Sequence, residues 1–155
     1  MTAPSAVRVI DLSPDDPGTC IAVAEALHRA FYSKKSFHEI LLKVTSTARD
    51  ARALVLVAVN GPLTQPKVVG TLTLRRLVEH GELHAGDLYV DGSLRKLGVG
   101  TLLAGHGIAR AKKDFSADRI FAQAEEDADQ WLIDFYERLG FLLISSHQKK
   151  YVLYL

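Results

Sequence analysis

Leu88-Tyr89-Val90-Asp91-Gly92-Ser93-Leu94-Arg95-Lys96-Leu97-Gly98-Val99-Gly100-Thr101-Leu102-Leu103 joins three kinds of sequence. Leu88, Tyr89 and Val90 suit a strand, Asp91-Gly92-Ser93 breaks it, and a helix is expected from Val99 onward. Between them lies Arg95-Lys96-Leu97-Gly98-Val99-Gly100. Glycines at a helix start let the backbone approach a ligand closely and leave N–H groups pointing outward. Such an end carries partial positive charge and binds phosphate, and Arg95 and Lys96 add full charges beside it. A P-loop is excluded because no Gly-Lys-Ser/Thr follows. A dinucleotide fingerprint is excluded because Gly-x-Gly-x-x-Gly does not follow the strand directly.

Strand, Arg-x-x-Gly-x-Gly, helix resembles the acyl-CoA pyrophosphate loop of the GNAT superfamily of N-acetyltransferases. A second run, Asp134-Phe135-Tyr136-Glu137-Arg138-Leu139-Gly140-Phe141, resembles the Phe-Tyr-x-x-x-Gly-Phe of many GNAT proteins. Two such motifs at this separation are more specific than either alone, and the resemblance covers nearly the whole chain.

The rest of the chain gives a compatible order of elements. Val7–Leu12 alternates as a strand. Ser13–Gly18 is a turn, and Ile21, Val23, Ala24, Leu27 and Phe31 then fall at helical spacing to about Tyr32. Ser36 is placed to cap a second helix with Ile40, Leu41 and Val44 as its stripe. Ala53–Val59 is continuously apolar, the mark of a strand buried on both faces. Further strands are expected over Val68–Leu77, after a looped hairpin, and Glu82–Val90, after a turn at Glu79-His80-Gly81. In the helix after the loop, Gly105 and Gly107 are expected to serve close packing on a sheet. Asp118–Ala124 is another strand. An acidic bend, Glu125-Glu126-Asp127-Ala128-Asp129, leads into a helix from Gln130 to Leu139 with Gly140 as its C-cap, and Phe141–Ile144 and Tyr151–Leu155 close the chain as strands. The expected class is α/β (α+β): a mixed, mostly antiparallel GNAT sheet of six to seven strands flanked by about four helices, in a single domain over residues 1–155.

Composition agrees. The chain has 155 residues, 48% hydrophobic and 24% charged, with a net charge of +1 from 19 Lys and Arg against 18 Asp and Glu. That balance argues against a basic nucleic-acid or membrane surface. The one cysteine, Cys20, excludes an internal disulfide framework and reads as a small core residue. With no signal peptide or membrane-length apolar run evident, a reducing cytoplasm is the expected setting. No metal site is read from the sequence.

The resemblance implies acetyl-CoA as co-substrate and a primary amine, on a small molecule or peptide, as acceptor that attacks the thioester directly in a ternary complex. In GNAT proteins pantetheine inserts beside the fourth strand like an added strand. That assigns Leu88, Tyr89 and Val90 to pantetheine, with a backbone N–H near Leu88 polarising the thioester carbonyl. It assigns Arg95, Lys96, Leu97, Gly98, Val99, Gly100 and Thr101 to the pyrophosphate. Asp129 stands where the family often has Asn at the start of the last helix. Tyr136 falls near the coenzyme sulfur as proton donor to the departing thiolate, rotated off the Phe135–Leu139 stripe. Phe135, Phe141 and Trp131 read as packing.

His84 occupies a fourth-strand position where several relatives carry Glu, and imidazole titrates near neutrality, so His84 is the first candidate base. Glu82, Asp87 and a water are the alternatives. Alternation puts Glu82 and His84 on one face with Leu88 and Val90, and Asp87 on the other unless a bulge intervenes. Two rival functions stay open: a GNAT-like module that binds acyl-CoA without turnover, and a toxin-type aminoacyl-tRNA acetyltransferase, against which the charge balance weighs. Edge pairing by the C-terminal strands is the expected route to a homodimer.

Overall fold

The computed structural model describes residues 7–62, 67–77, 81–124 and 130–155. Its elements follow the expected order: β1 (Arg8–Asp11), α1 (Pro17–Ala30), α2 (Phe37–Arg49), β2 (Ala53–Asn60), β3 (Lys67–Arg75), β4 (Glu82–Val90), α3 (Val99–Phe115), β5 (Arg119–Gln123), α4 (Gln130–Arg138), β6 (Leu142–Ser145) and β7 (Lys150–Tyr154). The strands form a seven-stranded sheet in the order β1-β2-β3-β4-β5-β7-β6. It is mixed. β1–β2, β5–β7 and β6–β7 are antiparallel, whereas β4 runs parallel to β5, from Glu82 opposite Arg119 to Ala85 opposite Ala122. The chain divides into two compact units, Met1–Thr73 with Asp87–Gly107, and Leu74–Gly86 with Ile108–Leu155.

The first unit is built around β2, whose buried run Leu54–Val59 matches its continuous apolar sequence. Local capping sets the helices that cover it. The Asp16 carboxylate accepts from the Thr19 N–H (3.1 Å) and hydroxyl (2.6 Å), with Pro17 opening α1 where a missing N–H costs nothing. Those Thr19 bonds hold the Asp16 carboxyl below its ordinary pKa. Ser36 caps α2 by accepting from the Glu39 N–H at 3.1 Å. Cys20, Val23, Ala24 and Leu27 of α1 join Ile40 and Val44 of α2 against Val55, Val57 and Val59. Ile21 and Phe31, expected on the α1 stripe, are exposed instead. The stripe starts at Cys20, which gives the i, i+3, i+4, i+7 spacing with Leu27. Cys20 is a core residue, with burial raising its thiol pKa.

Gly70 of β3 shows how closely α3 approaches. A Cβ there would meet Leu103 at 2.9 Å, the Tyr89 carbonyl at 3.0 Å and Val99 at 3.2 Å. Gly105 behaves otherwise: it is exposed and nothing lies within 4 Å of an added Cβ. The expected close packing does not explain Gly105.

In the second unit, β5 and β7 place Ile120, Ala122, Tyr151 and Val152 in the interior. α4 ends in a Schellman motif: the Gly140 N–H bonds to the Glu137 carbonyl and the Phe141 N–H to the Tyr136 carbonyl, both at 3.0 Å, with Gly140 at φ +95°. The motif requires a residue that accepts a left-handed backbone and pairs the residue after it with one on the last turn. Here that pair is Phe141 and Tyr136, with ring centroids 5.3 Å apart. Phe-Tyr-x-x-x-Gly-Phe is therefore a helix-ending device as well as a family signature. β6 lies at the sheet edge.

Candidate functional site

The Leu88–Thr101 segment folds as a strand end, a loop and a helix start. The Asp91 carboxylate accepts from both the Ser93 N–H (3.0 Å) and the Ser93 hydroxyl (2.7 Å). These two bonds, the hydroxyl's first, depress its pKa. The Asp91 N–H ties back to the Val69 carbonyl at 2.8 Å. Arg95 donates through Nε to the Val90 carbonyl at 3.3 Å. Lys96 and Gly98 both adopt left-handed backbone, at φ +67° and +89°, and such residues curl successive N–H groups into a concave array that takes anions. The Leu102 N–H bonds to the Gly98 carbonyl at 2.9 Å, so Gly98 starts α3. The N–H groups of Val99, Gly100 and Thr101 then have no carbonyl one turn back within the helix. Arg95, Lys96 and Thr101 are exposed, while Val99 is buried and anchors the turn. These residues fit a pyrophosphate: a positive helix end, left-handed turns that only glycine or a strained residue supplies, and two basic side chains.

Tyr89 packs against the α1–α2 core, while Leu88 and Val90 are buried on the other face of β4. The alternation predicted along β4 slips. Leu83 is buried before Asp87, but Leu88 and Val90 are buried after it, and Asp87 itself sits at φ +49°. The left-handed Asp87 interrupts the regular strand, so period-two counting does not carry across it from Glu82 and His84 to Leu88 and Val90. This is the irregularity that alternation would not survive.

Asp87 gathers partners that the sequence reading missed. The Tyr32 hydroxyl donates to its Oδ1 at 2.6 Å, Lys43 Nζ donates to the Tyr32 hydroxyl at 2.8 Å and stands 3.8 Å from Asp87 Oδ2, and the Thr71 hydroxyl donates to the Asp87 carbonyl at 2.7 Å. Long separation in sequence hid this group. The available signal was an acidic residue in the middle of a strand next to Gly86.

In the second unit, His84 Nε2 lies 2.8 Å from Glu82 Oε1, and Arg119 donates to the other Glu82 oxygen at 3.4 Å. The imidazole stacks on Phe121 with centroids 5.4 Å apart, and its side chain is 29% exposed. His84 is thus an oriented, solvent-reachable imidazole with a carboxylate partner, a geometry that can hold or move a proton.

Tyr136 is buried together with its neighbour on the stripe. It is 6% exposed, as is Phe135, and stacks on Tyr151 as well as Phe141. Burial and the neighbouring Tyr151 push its pKa up to about 12. Among the described residues its hydroxyl makes no hydrogen bond. The helix end accounts for the ring and not for the hydroxyl. Asp129 and the acidic run Glu125, Glu126 and Asp127 lie outside the described residues.

No described helix is long and apolar enough to cross a membrane. No curated protein sequence matches the chain. Among solved structures, a GNAT-family acetyltransferase from Staphylococcus aureus Mu50 is similar at a TM-score of 0.75 and 19% identity, over 97% of this chain and 99% of that one. An aminoglycoside 6'-N-acetyltransferase complexed with coenzyme A is similar at 0.79 and 13% identity, over 95% and 96%. The PaiA N-acetyltransferase of Thermoplasma acidophilum, also in complex with coenzyme A, is similar at 0.69 and 14% identity, over 94% and 96%. These likenesses confirm the fold. The profile of the acetyltransferase (GNAT) family matches residues 20–141, and this chain belongs to that family of acetyltransferases.

Proposed function

We propose that the protein transfers an acetyl group from acetyl-CoA to a primary amine by direct attack in a ternary complex. The observation that carries this is the loop from Arg95 to Thr101, whose left-handed Lys96 and Gly98 aim a helix start and two cations at one place. Acetyl-CoA, when bound, supplies the acetyl group on a thioester. Arg95, Lys96 and the N–H groups from Leu97 to Thr101 hold its pyrophosphate, and Leu88, Tyr89 and Val90 hold the pantetheine arm, with an N–H near Leu88 directed at the thioester carbonyl. Asp129, which precedes Gln130 in the sequence, is a further candidate for a coenzyme contact.

His84, held by Glu82, takes the proton that the attacking amine must lose. The new C–N bond forms as the C–S bond breaks, and Tyr136 donates toward the departing sulfur. A second candidate for the base is Asp87, favoured by its left-handed backbone, a strained conformation of the kind that clusters at working sites. The profile match over residues 20–141 runs across both units and supports reading 1–155 as one acetyltransferase domain. A single buried thiol suits a reducing cytoplasm, and the exposed edge strand β6 suits a homodimer.

The test is acetyl-CoA binding followed by thiol release across amines, peptides and aminoacyl-tRNA. Binding with thiol release on small amines or peptides is expected. Binding without release on any acceptor would instead favour a non-catalytic module, and release on aminoacyl-tRNA alone would favour the toxin-type activity.

A further inference from the structure

Asp87 is a carboxylate held where the backbone resists. A left-handed backbone is uncommon outside glycine and strains most other residues. At Asp87, φ is +49°, and two bonds enforce it: Thr71 on the carbonyl and Tyr32 on the side chain, at 2.7 and 2.6 Å. The side chain is 17% exposed. The group it faces is the ammonium of Lys43. Lys43 Nζ lies 4.3 Å from the centroid of the Tyr32 ring, donates to the Tyr32 hydroxyl at 2.8 Å and sits 3.8 Å from Asp87 Oδ2. A π face, a hydroxyl lone pair and a carboxylate thus converge on one primary ammonium, and these are the groups that recognise such a cation. The Tyr32 hydroxyl serves both sides, giving its proton to Asp87 and accepting from Lys43.

A partly exposed lysine pair of this kind adds little to stability. Lys43, 38% exposed, can therefore leave at little cost, while the short Tyr32–Asp87 bond stays. Beneath the group lies a small cavity lined by Val23, Leu27, Ile40, Val44 and Val55 among others, with room for about one water. A branched or aromatic amine does not enter it. A ligand reaching the group would take the space that the unbranched Lys43 stem now fills.

We propose that Tyr32 and Asp87 form a binding site for the primary ammonium of an unbranched alkylamine, and that Lys43 fills it as an internal stand-in until the acceptor displaces it. Asp87 directly precedes Leu88, the residue that the acyl-transfer reading puts at the thioester. In its meaning as an acceptor site the inference rests on that reading; as an ammonium site it does not. It narrows the acceptor to lysine-like or other slender primary alkylamines.

The experiment measures binding of n-butylammonium to the full chain by amide chemical-shift titration, with n-butanol as the neutral control. A tethered competitor acts at an effective concentration of order millimolar, so Lys43→Met, which keeps the stem and removes the charge, is expected to tighten n-butylammonium binding about three- to tenfold. Asp87→Asn in the Lys43→Met background is expected to weaken it at least tenfold. Asparagine tolerates the left-handed backbone, so that variant keeps its fold, and its melting temperature verifies this. Affinity unchanged by Lys43→Met, affinity unchanged by Asp87→Asn, or equal binding of n-butanol would each overturn the site. Thiol release is read separately. Charge-selective binding without turnover on any amine sinks the enzymatic reading and leaves the ammonium site standing.

Discussion

At the residue scale, Lys96, Gly98 and Tyr136 each separate a structural contribution from a functional one. Lys96 is left-handed at φ +67°, so Lys96→Gly relieves strain while removing a cation beside the proposed phosphate site. Melting temperature should hold or rise, and acetyl-CoA affinity should fall. Gly98→Asp should lower both, since it adds a Cβ at φ +89° and a negative charge. Unchanged acetyl-CoA affinity in both variants means that the loop is not the phosphate site. The Tyr136 phenol, raised to about 12, stays protonated across any working pH. It can give a hydrogen bond to the developing thiolate, whereas full transfer of its proton to so much weaker a base runs uphill, and it cannot act as a phenolate. Tyr136→Phe should lower turnover by about 10²–10⁴-fold, the range of general-acid work, with acetyl-CoA affinity nearly unchanged. The same shift has a stability consequence. An unfolded tyrosine ionises near 10 and the folded one near 12, so the unfolded state holds fewer protons between those values and stability declines as pH rises through that window. Below pH 10 this contribution is constant. Tyr136→Phe should reduce the alkaline loss in denaturant titrations, with Tyr151, also raised by burial, retaining part of it. An alkaline limb of unchanged size would show that Tyr136 is not the group responsible.

At the scale of elements, β3 and β4 decide where the chemistry can sit. Gly70 lets α3 lie close enough for Val99 and Leu103 to reach β3. Gly70→Ala should cost about 1–3 kcal/mol, the usual range for overpacking, and should weaken acetyl-CoA binding because Val99 opens the helix that carries the N–H groups. A denaturant midpoint equal to wild type would show that the contact yields freely. On β4, His84 hydrogen-bonds to Glu82 and stacks on Phe121. His84→Ala should reduce turnover most at low pH, where the acceptor amine is most protonated and needs a base most. A uniform loss across the pH range would assign His84 a structural role, and no loss would remove it from the mechanism.

At the scale of the whole molecule, the apolar residues of β6 stand out. Leu142, Leu143 and Ile144 are 58%, 51% and 49% exposed on an edge strand, where unpaired backbone groups invite another strand. A second copy pairing edge to edge would cover them symmetrically. Leu143→Lys is expected to shift sedimentation toward monomer with acetyl-CoA binding intact. A wild-type chain that sediments as a monomer at high concentration would remove the dimer proposal.

The sequence by itself determined the order of elements, the caps at Ser36 and Gly140, the two-sided burial of β2 and the loop from Arg95 to Thr101. All of these rest on near neighbours: a hydroxyl three residues from an N–H, a glycine where the helix must end, an apolar run too long to be one-faced. Family membership followed from two such local signatures. Tertiary structure alone decided the rest. The left-handed backbone at Asp87 is bonded by Thr71 and Tyr32, which lie 16 and 55 residues away, and no period-two count can see it. The same is true of Gly70, whose need for a missing side chain comes from Leu103 on α3. Tyr136 was placed by its own helix periodicity, yet Phe141 and Tyr151 bury its ring. Short-range capping and patterning are written in consecutive residues, whereas strain, close approach and convergent polar groups arise only when distant residues are brought into contact.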